Sequence, residues 1–133
     1  MESDNQLAIL YMEQLQSLMN DISEWSDSTF GDAQRNPGIV YHLKMEADEL
    51  IEALDKSALL GADLSVGIGE YGRQVKKTKM EFADCFMLLL DSASHFHLSA
   101  EELIETTRKK LEINKKRKWG KPDKNGVVEH IRE

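Results

Sequence analysis

The stretch from Met80 to Leu90 constrains the fold more than any other part of the chain. On a helix turning about 100° per residue, Met80, Phe82, Ala83, Cys85, Phe86, Met87, Leu88, Leu89 and Leu90 cover nearly the whole circumference. A helix apolar on all sides is expected to be buried. Yet Glu81 and Asp84 lie on it one turn apart, with Lys77 and Asp91 on the same side. Buried carboxylates must be paired, protonated or bound to metal, because removing an unpaired charge from water costs several kcal/mol. Lys77 can pair one of the two but hardly both.

The rest of the chain reads as three more helices, giving an all-α, four-helix fold in a single domain over residues 1–133. The first is expected from about Asp4 to Glu24, burying a stripe of Leu7, Leu10, Tyr11, Leu15, Leu18 and Ile22. A polar and aromatic connection, Trp25 to Arg35, follows. Asn36 and Pro37 then read as N-cap and first position of a second helix that reaches about Lys56. Ser57 to Gly72 holds Gly61, Gly67, Gly69 and Gly72 and no sustained period, so it reads as a long loop, a candidate lid or intersubunit contact. The third helix is expected over Gln74–Phe96 and the fourth over Ala100–Trp119. Ser99 with Glu102 three residues on is a capping-box pattern that fixes the start of the fourth. The tail after Gly120, with Pro122 and Gly126, is expected to be irregular.

The second helix carries Val40, Leu43, Ala47, Leu50 and Leu54 in one apolar arc, with His42, Glu46, Glu49 and Ala53 along its edge. Glu46 and Glu49 are one turn apart. Like charges at that spacing repel by a few tenths of a kcal/mol, and a cation between them would turn the penalty into a site; two solvated glutamates are the plain alternative. Two antiparallel helices, each offering such a pair, would converge Glu46, Glu49, Glu81 and Asp84 on one spot. Carboxylate-only ligation favours Mg²⁺ or Mn²⁺ over zinc, and Mg²⁺ prefers sites that leave positions for water and phosphate oxygens. A di-iron bundle would need Glu-x-x-His on two helices, and the sequence has none. His42, one turn before Glu46, has no matching second histidine.

The net charge of −7 hides a polarity. Residues 105–124 hold nine Lys or Arg against three acids, leaving the remainder strongly acidic. On the fourth helix Lys110, Asn114 and Arg117 fall within about 60° of one another, a stripe able to bind phosphate oxygens. Basic residues near a helix C-terminus also complement its dipole, which accounts for Lys115, Lys116 and Lys118. Trp25 and Phe30 could stack on a base or plug the end of the bundle. Cys85 is the only cysteine, so no internal disulfide forms and the thiol reads as core filler. The longest strictly apolar run, Cys85 to Leu90, is far too short to span a bilayer, and the acidic amino terminus lacks the form of a secretion signal. A cytoplasmic protein with no membrane partner is the expectation.

In their order these motifs resemble the MazG-like, all-alpha NTP pyrophosphohydrolase superfamily: Glu46-Ala47-Asp48-Glu49, then Glu81-Phe82-Ala83-Asp84, then Lys110 through Asn114 and Arg117 to Trp119-Gly120. Ala47-Asp48 stands where many MazG proteins have a further glutamate. Trp25 with Thr29-Phe30-Gly31, Tyr41 to Glu46, Trp119-Gly120-Lys121-Pro122 and Val128-Glu129-His130 are most similar to the dATP/dGTP pyrophosphohydrolase branch, which includes the MazZ-like enzymes of 2-aminoadenine phages. The resemblance implies a MazG-like bundle, homodimers or homotetramers whose subunits sometimes complete one another's sites, and, in phages, hydrolysis of dGTP to dGMP in the host cytoplasm.

Together these readings give the expected reaction. Water attacks the α-phosphorus of a nucleoside triphosphate, releasing pyrophosphate; the resemblance alone implies a purine dNTP, dGTP first (with dATP or GTP as alternatives). Two or three Mg²⁺ or Mn²⁺ ions are held by Glu46, Glu49, Glu81 and Asp84. Glu49, or alternatively Glu46, accepts the proton from water. Lys110, Asn114 and Arg117 serve the phosphates, and Trp25, Phe30 and His42 the base and sugar. No nucleic-acid partner is expected. The competing readings are a nucleic-acid-binding or interaction module built on the basic helix, which leaves Glu81 and Asp84 unexplained, and a nucleotide sensor that does not hydrolyse.

Overall fold

The computed structural model describes residues 2–31 and 35–132 and contains four helices: α1 (Glu2–Phe30), α2 (Gly38–Ala62), α3 (Ile68–His95) and α4 (Ala100–Lys116). α3 packs most extensively on α2 and next on α1, while α4 lies on α1. No described helix is long and apolar enough to cross a membrane. The tail is more ordered than expected. Trp119 bridges to His130, and Gly120 N–H donates to the Glu129 carbonyl at 2.9 Å. Trp119 Nε1 donates to the Asn114 carbonyl at 2.9 Å, which anchors the end of α4.

α1 runs six residues beyond the expected Glu24, so Trp25 to Phe30 are helical rather than part of a connection. Ser26 is fully buried and gives its hydroxyl proton to Asp91 on α3 at 2.7 Å, and His95 of α3 binds Asp27, so tertiary contacts hold this last stretch in the helix. Gly31, at φ +88°, ends it with an N–H bond to the Asp27 carbonyl. Residues 32–34 of the expected connection lie outside the described residues. Asn36 does not cap α2. Pro37 occupies the cap position without a side-chain bond, after a cis Asn36–Pro37 peptide, and the Asn36 amide instead donates to the Ser92 carbonyl at 3.0 Å.

The expected sixteen-residue loop shrinks to residues 63–67, because α2 continues to Ala62 and α3 begins at Ile68. Asp63 makes the turn by accepting bonds from Ser65 N–H and Oγ. Gly61 has a packing role: a Cβ there would stand 3.3 Å from the Tyr71 ring, so the glycine admits the ring of the facing helix. That contact outweighs the weak helix propensity that made the segment read as loop. The capping box at α4 is formed, with Glu102 N–H donating to Ser99 Oγ at 3.1 Å, although the helix stops at Lys116 rather than Trp119.

The core is Met19, Ile22, Leu90, Ala93 and Ala100, with Met12, Leu15, Leu98 and Leu103 packed against it. Only part of the expected α1 stripe is therefore buried; Leu7, Leu10, Tyr11 and Leu18 are exposed, because α3 and α4 meet the neighbouring face. Nor is α3 covered all round. Met80 is 65% and Phe82 52% exposed, and Phe86, Met87 and Leu89 are also exposed, since within one chain only α2 and α1 pack extensively against the helix.

Candidate active site

α2 and α3 run antiparallel, as paired contacts show: Asn36 meets Ser92 at one end and Ser57 meets Thr78 at 2.7 Å toward the other. Ala53 is small and buried, and its carbonyl accepts from Gln74 Nε2 and Thr78 Oγ1, both at 3.4 Å. This close seam sets the register that brings the acidic pairs together. Glu46, Glu81 and Asp84, all half-buried, each offer an oxygen, and the three oxygens lie within 4.8 Å of one another. The expected fourth member, Glu49, is exposed and lies outside this group of three, adjoining it through a hydrogen bond with Glu46. That bond is the first cause holding the Glu46 pKa above its ordinary value, with partial burial and the Glu49 and Asp84 charges adding to it and the His42 bond opposing it. Burial first, then the charges of all four carboxylates, pushes the Cys85 thiol up.

The cluster suits a hard cation. Glu81 Oε2 is buried with no hydrogen-bond partner, and no Lys or Arg pairs with Glu46, Glu81 or Asp84 among the described residues; Lys77 in particular does not. An acidic group left so poorly compensated is one that a divalent ion could satisfy.

The four carboxylates divide two unlike clefts. Glu46 and Asp84 line a mainly apolar cleft of about 590 Å³ whose walls include Trp25, Phe30, Ile39 and Leu88. The Trp25 and Phe30 rings meet edge to face with centroids 5.5 Å apart, and the Arg35 guanidinium sits 5.3 Å from the Phe30 centroid. His42 lines the same cleft, its Nε2 3.1 Å from Glu46 Oε1. Glu49 and Glu81 line the second cleft, about 280 Å³, with Glu52, Lys56, Gln74 and Lys77.

A charged network adjoins the larger cleft, which Arg35 and Asp91 line. Asp91, 5% exposed, accepts from Ser26, which also contacts Arg35. His95 Nδ1 donates to the Asp91 carbonyl at 2.8 Å and Nε2 faces Asp27 Oδ1 at 2.9 Å. A carbonyl and a carboxylate both act as acceptors here, so these contacts favour the doubly protonated ring. Burial opposes that charge, but the bonds and charges of Asp91 and Asp27 outweigh it and raise the pKa. Arg35 and the protonated form of His95 together balance Asp27 and Asp91. Sequence reasoning missed this network because it placed Trp25 to Arg35 in a connection. The one visible signal was Asp91, two turns beyond Asp84 on an apolar helix.

Lys110 is exposed, and Asn114 and Arg117 are half-buried, with Arg117 Nη1 donating to Asn114 Oδ1 at 3.3 Å. The stripe stays together, but none of its members lines either cleft beside the carboxylates.

The family model for dATP/dGTP pyrophosphohydrolase matches residues 74–133, from the start of the α3 seam through α4 and the tail. A dATP/dGTP diphosphohydrolase of cyanophage S-2L is 30% identical over 99 residues, covering 71% of this chain and 90% of that protein. No solved structure matches the chain. The helices, the carboxylate cluster and these likenesses define the class as an all-α nucleoside triphosphate diphosphatase, a hydrolase of phosphoric anhydrides. Within that class the chain belongs to the dATP/dGTP pyrophosphohydrolase family.

Proposed function

We propose that the protein hydrolyses a purine deoxynucleoside triphosphate, dGTP first among them, to the monophosphate and pyrophosphate. The observation that carries this reading is the convergence of Glu46, Glu81 and Asp84, with an orphaned Glu81 oxygen, beside an aromatic-lined cleft that Glu46 and Asp84 border. The cyanophage relative's name supports purine deoxynucleotides. These three carboxylates and Glu49 would hold two or three Mg²⁺ ions, or Mn²⁺. Such ions supply positive charge to the phosphate oxygens and favour ionisation of water.

The chain's own groups do the rest. Glu49, sharing a hydrogen bond with Glu46, accepts the proton of the attacking water, with Glu46 as the alternative. His42 orients the Glu46 carboxylate and borders the sugar. Trp25 and Phe30, both more than half exposed, stack on the base and exclude water from that end.

Self-association as a dimer or tetramer belongs to the same reading. The exposed apolar residues of α3 are supported by a further apolar groove of about 450 Å³, where Phe86 and Leu89 meet Leu15 of α1 and Leu103, Ile104 and Leu111 of α4. Lys110, Asn114 and Arg117 then serve the phosphates of a neighbouring subunit, since they line neither cleft of their own.

Four dNTPs and four NTPs, each with Mg²⁺ or Mn²⁺ and read by pyrophosphate release, test the substrate. Purine deoxynucleotides should lead, and equal turnover of all eight would overturn the base assignment. Reaction in ¹⁸O-water should label dGMP; label confined to pyrophosphate would sink attack at the α-phosphorus.

A further inference from the structure

We propose that Lys56 and Lys77 hold the pyrophosphate half of the substrate, in the same chain as the carboxylates. This inference rests on the function proposed above and gives the substrate a direction. A helix rises about 1.5 Å per residue, so the antiparallel seam orders its side chains along a line. His42 is followed on α2 by Glu46, Glu49 and then Lys56, while on α3 Asp84 and Glu81 lead back to Lys77. A nucleoside triphosphate has the same linear order of base, sugar, α-phosphate and leaving pyrophosphate. With the α-phosphate at the carboxylates and the base in the aromatic cleft, the β- and γ-phosphates enter the smaller cleft beside Glu49 and Glu81.

That cleft is polar, and Lys56 and Lys77 are the cations in its lining. Lys77 stands one turn beyond Glu81, about 6 Å along the axis, within the reach of a triphosphate chain. Lys56 lies about 10 Å beyond Glu49 by the same measure, and its flexible four-carbon stem lets the ammonium swing back. Glu52 with Lys56 and Lys77 with Glu81 have the i,i+4 spacing of helical ion pairs, yet neither pair closes among the described residues. Both ammonium groups thus remain available to an anion. Pyrophosphate leaves with several negative charges, and cations placed where that charge accumulates favour its departure.

Calorimetric titration of the full chain in Mg²⁺ with inorganic pyrophosphate, and separately with dGMP, tests the assignment. Replacing both residues, Lys56→Ala with Lys77→Ala, should weaken pyrophosphate binding at least ~10-fold, a loss of about 1.4 kcal/mol, and leave dGMP binding within about twofold. Lys77→Arg should retain pyrophosphate binding, as charge requires. Both lysines are exposed, and single Lys56→Ala and Lys77→Gln variants read the same ratio should the double variant be unstable. Unchanged pyrophosphate affinity, equal weakening of both ligands, or no pyrophosphate binding by the unmodified protein overturns the proposal. An unmodified protein that turns over none of the eight triphosphates defeats the functional reading instead, a separate result.

Discussion

Glu81→Gln should stabilise the metal-free protein and blunt its response to Mg²⁺. Glu81 has two carboxylate neighbours, Glu46 and Asp84, whose oxygens lie within 4.8 Å. Unit charges at that separation repel by about 0.9 kcal/mol in water and about 3.5 kcal/mol at the effective dielectric near a protein surface. For half-buried groups closer to the aqueous limit, removing one charge relieves about 2 kcal/mol. The new amide can also donate to the remaining acids, which a carboxylate cannot. A chain of this size gains about 4 °C in unfolding midpoint per kcal/mol, so the variant should melt about 8 °C higher in chelator at pH 8. Mg²⁺ at a hundred times its dissociation constant should add about 2.7 kcal/mol to the unmodified protein and clearly less to the variant. Thermal unfolding by circular dichroism, with and without Mg²⁺, measures both shifts. A lower midpoint in chelator, or an equal Mg²⁺ response in the two proteins, would refute the claim that these carboxylates are gathered for a cation.

Other perturbations follow from the same contacts. Leu90→Ala empties a site 1% exposed at the centre of the core and should cost about 3 kcal/mol, measurable by urea unfolding. His95 has a raised pKa, so its contribution to stability is complete below its unfolded value near 6.5 and is lost as pH rises through the folded value. The unmodified protein should therefore lose more stability between pH 6 and pH 8.5 than His95→Gln does; parallel profiles would contradict the raised His95 pKa. Trp25→Ala removes base stacking worth about 1–3 kcal/mol and should raise the KM for dGTP about tenfold with kcat little changed.

The parts of this fold legible in the sequence were those set by local chemistry. The α4 cap needs only Ser99 and Glu102, and the two acidic pairs need only one-turn spacing on two helices. The parts that were not legible depend on distant partners. Trp25 to Phe30 have a mixed pattern that becomes helical because Ser26 and Asp27 find Asp91 and His95 on α3. Gly61 and Gly72 read as loop because nothing in the sequence reveals that a tyrosine ring from the next helix needs the space at Gly61. For the candidate site, spacing singled out the acidic pairs, of which the fold gathers Glu46, Glu81 and Asp84, whereas the split into an aromatic cleft and a lysine cleft depends on the α2–α3 register, which no single-helix pattern encodes.

The apolar girth of α3 is the superposition of three faces with different partners. Gln74, Thr78 and Glu81 meet the α2 seam, Leu90 and Ala93 enter the core with α1, and Phe82, Phe86 and Leu89 form an arc that one chain leaves exposed. Phe86→Glu separates intrachain from interchain need. At 48% exposure the chain itself covers about half of the ring, so the change should cost the isolated chain about 1 kcal/mol. In an assembly joined through this arc, the same change buries an unpaired carboxylate on each side, at several kcal/mol. Light scattering with size exclusion should then find a folded monomer where the unmodified protein is a dimer or tetramer. If Lys110 and Arg117 act across the interface, that monomer should also lose turnover while retaining dGMP binding. An unchanged oligomer in Phe86→Glu would place the interface elsewhere and leave the α3 arc without its proposed partner.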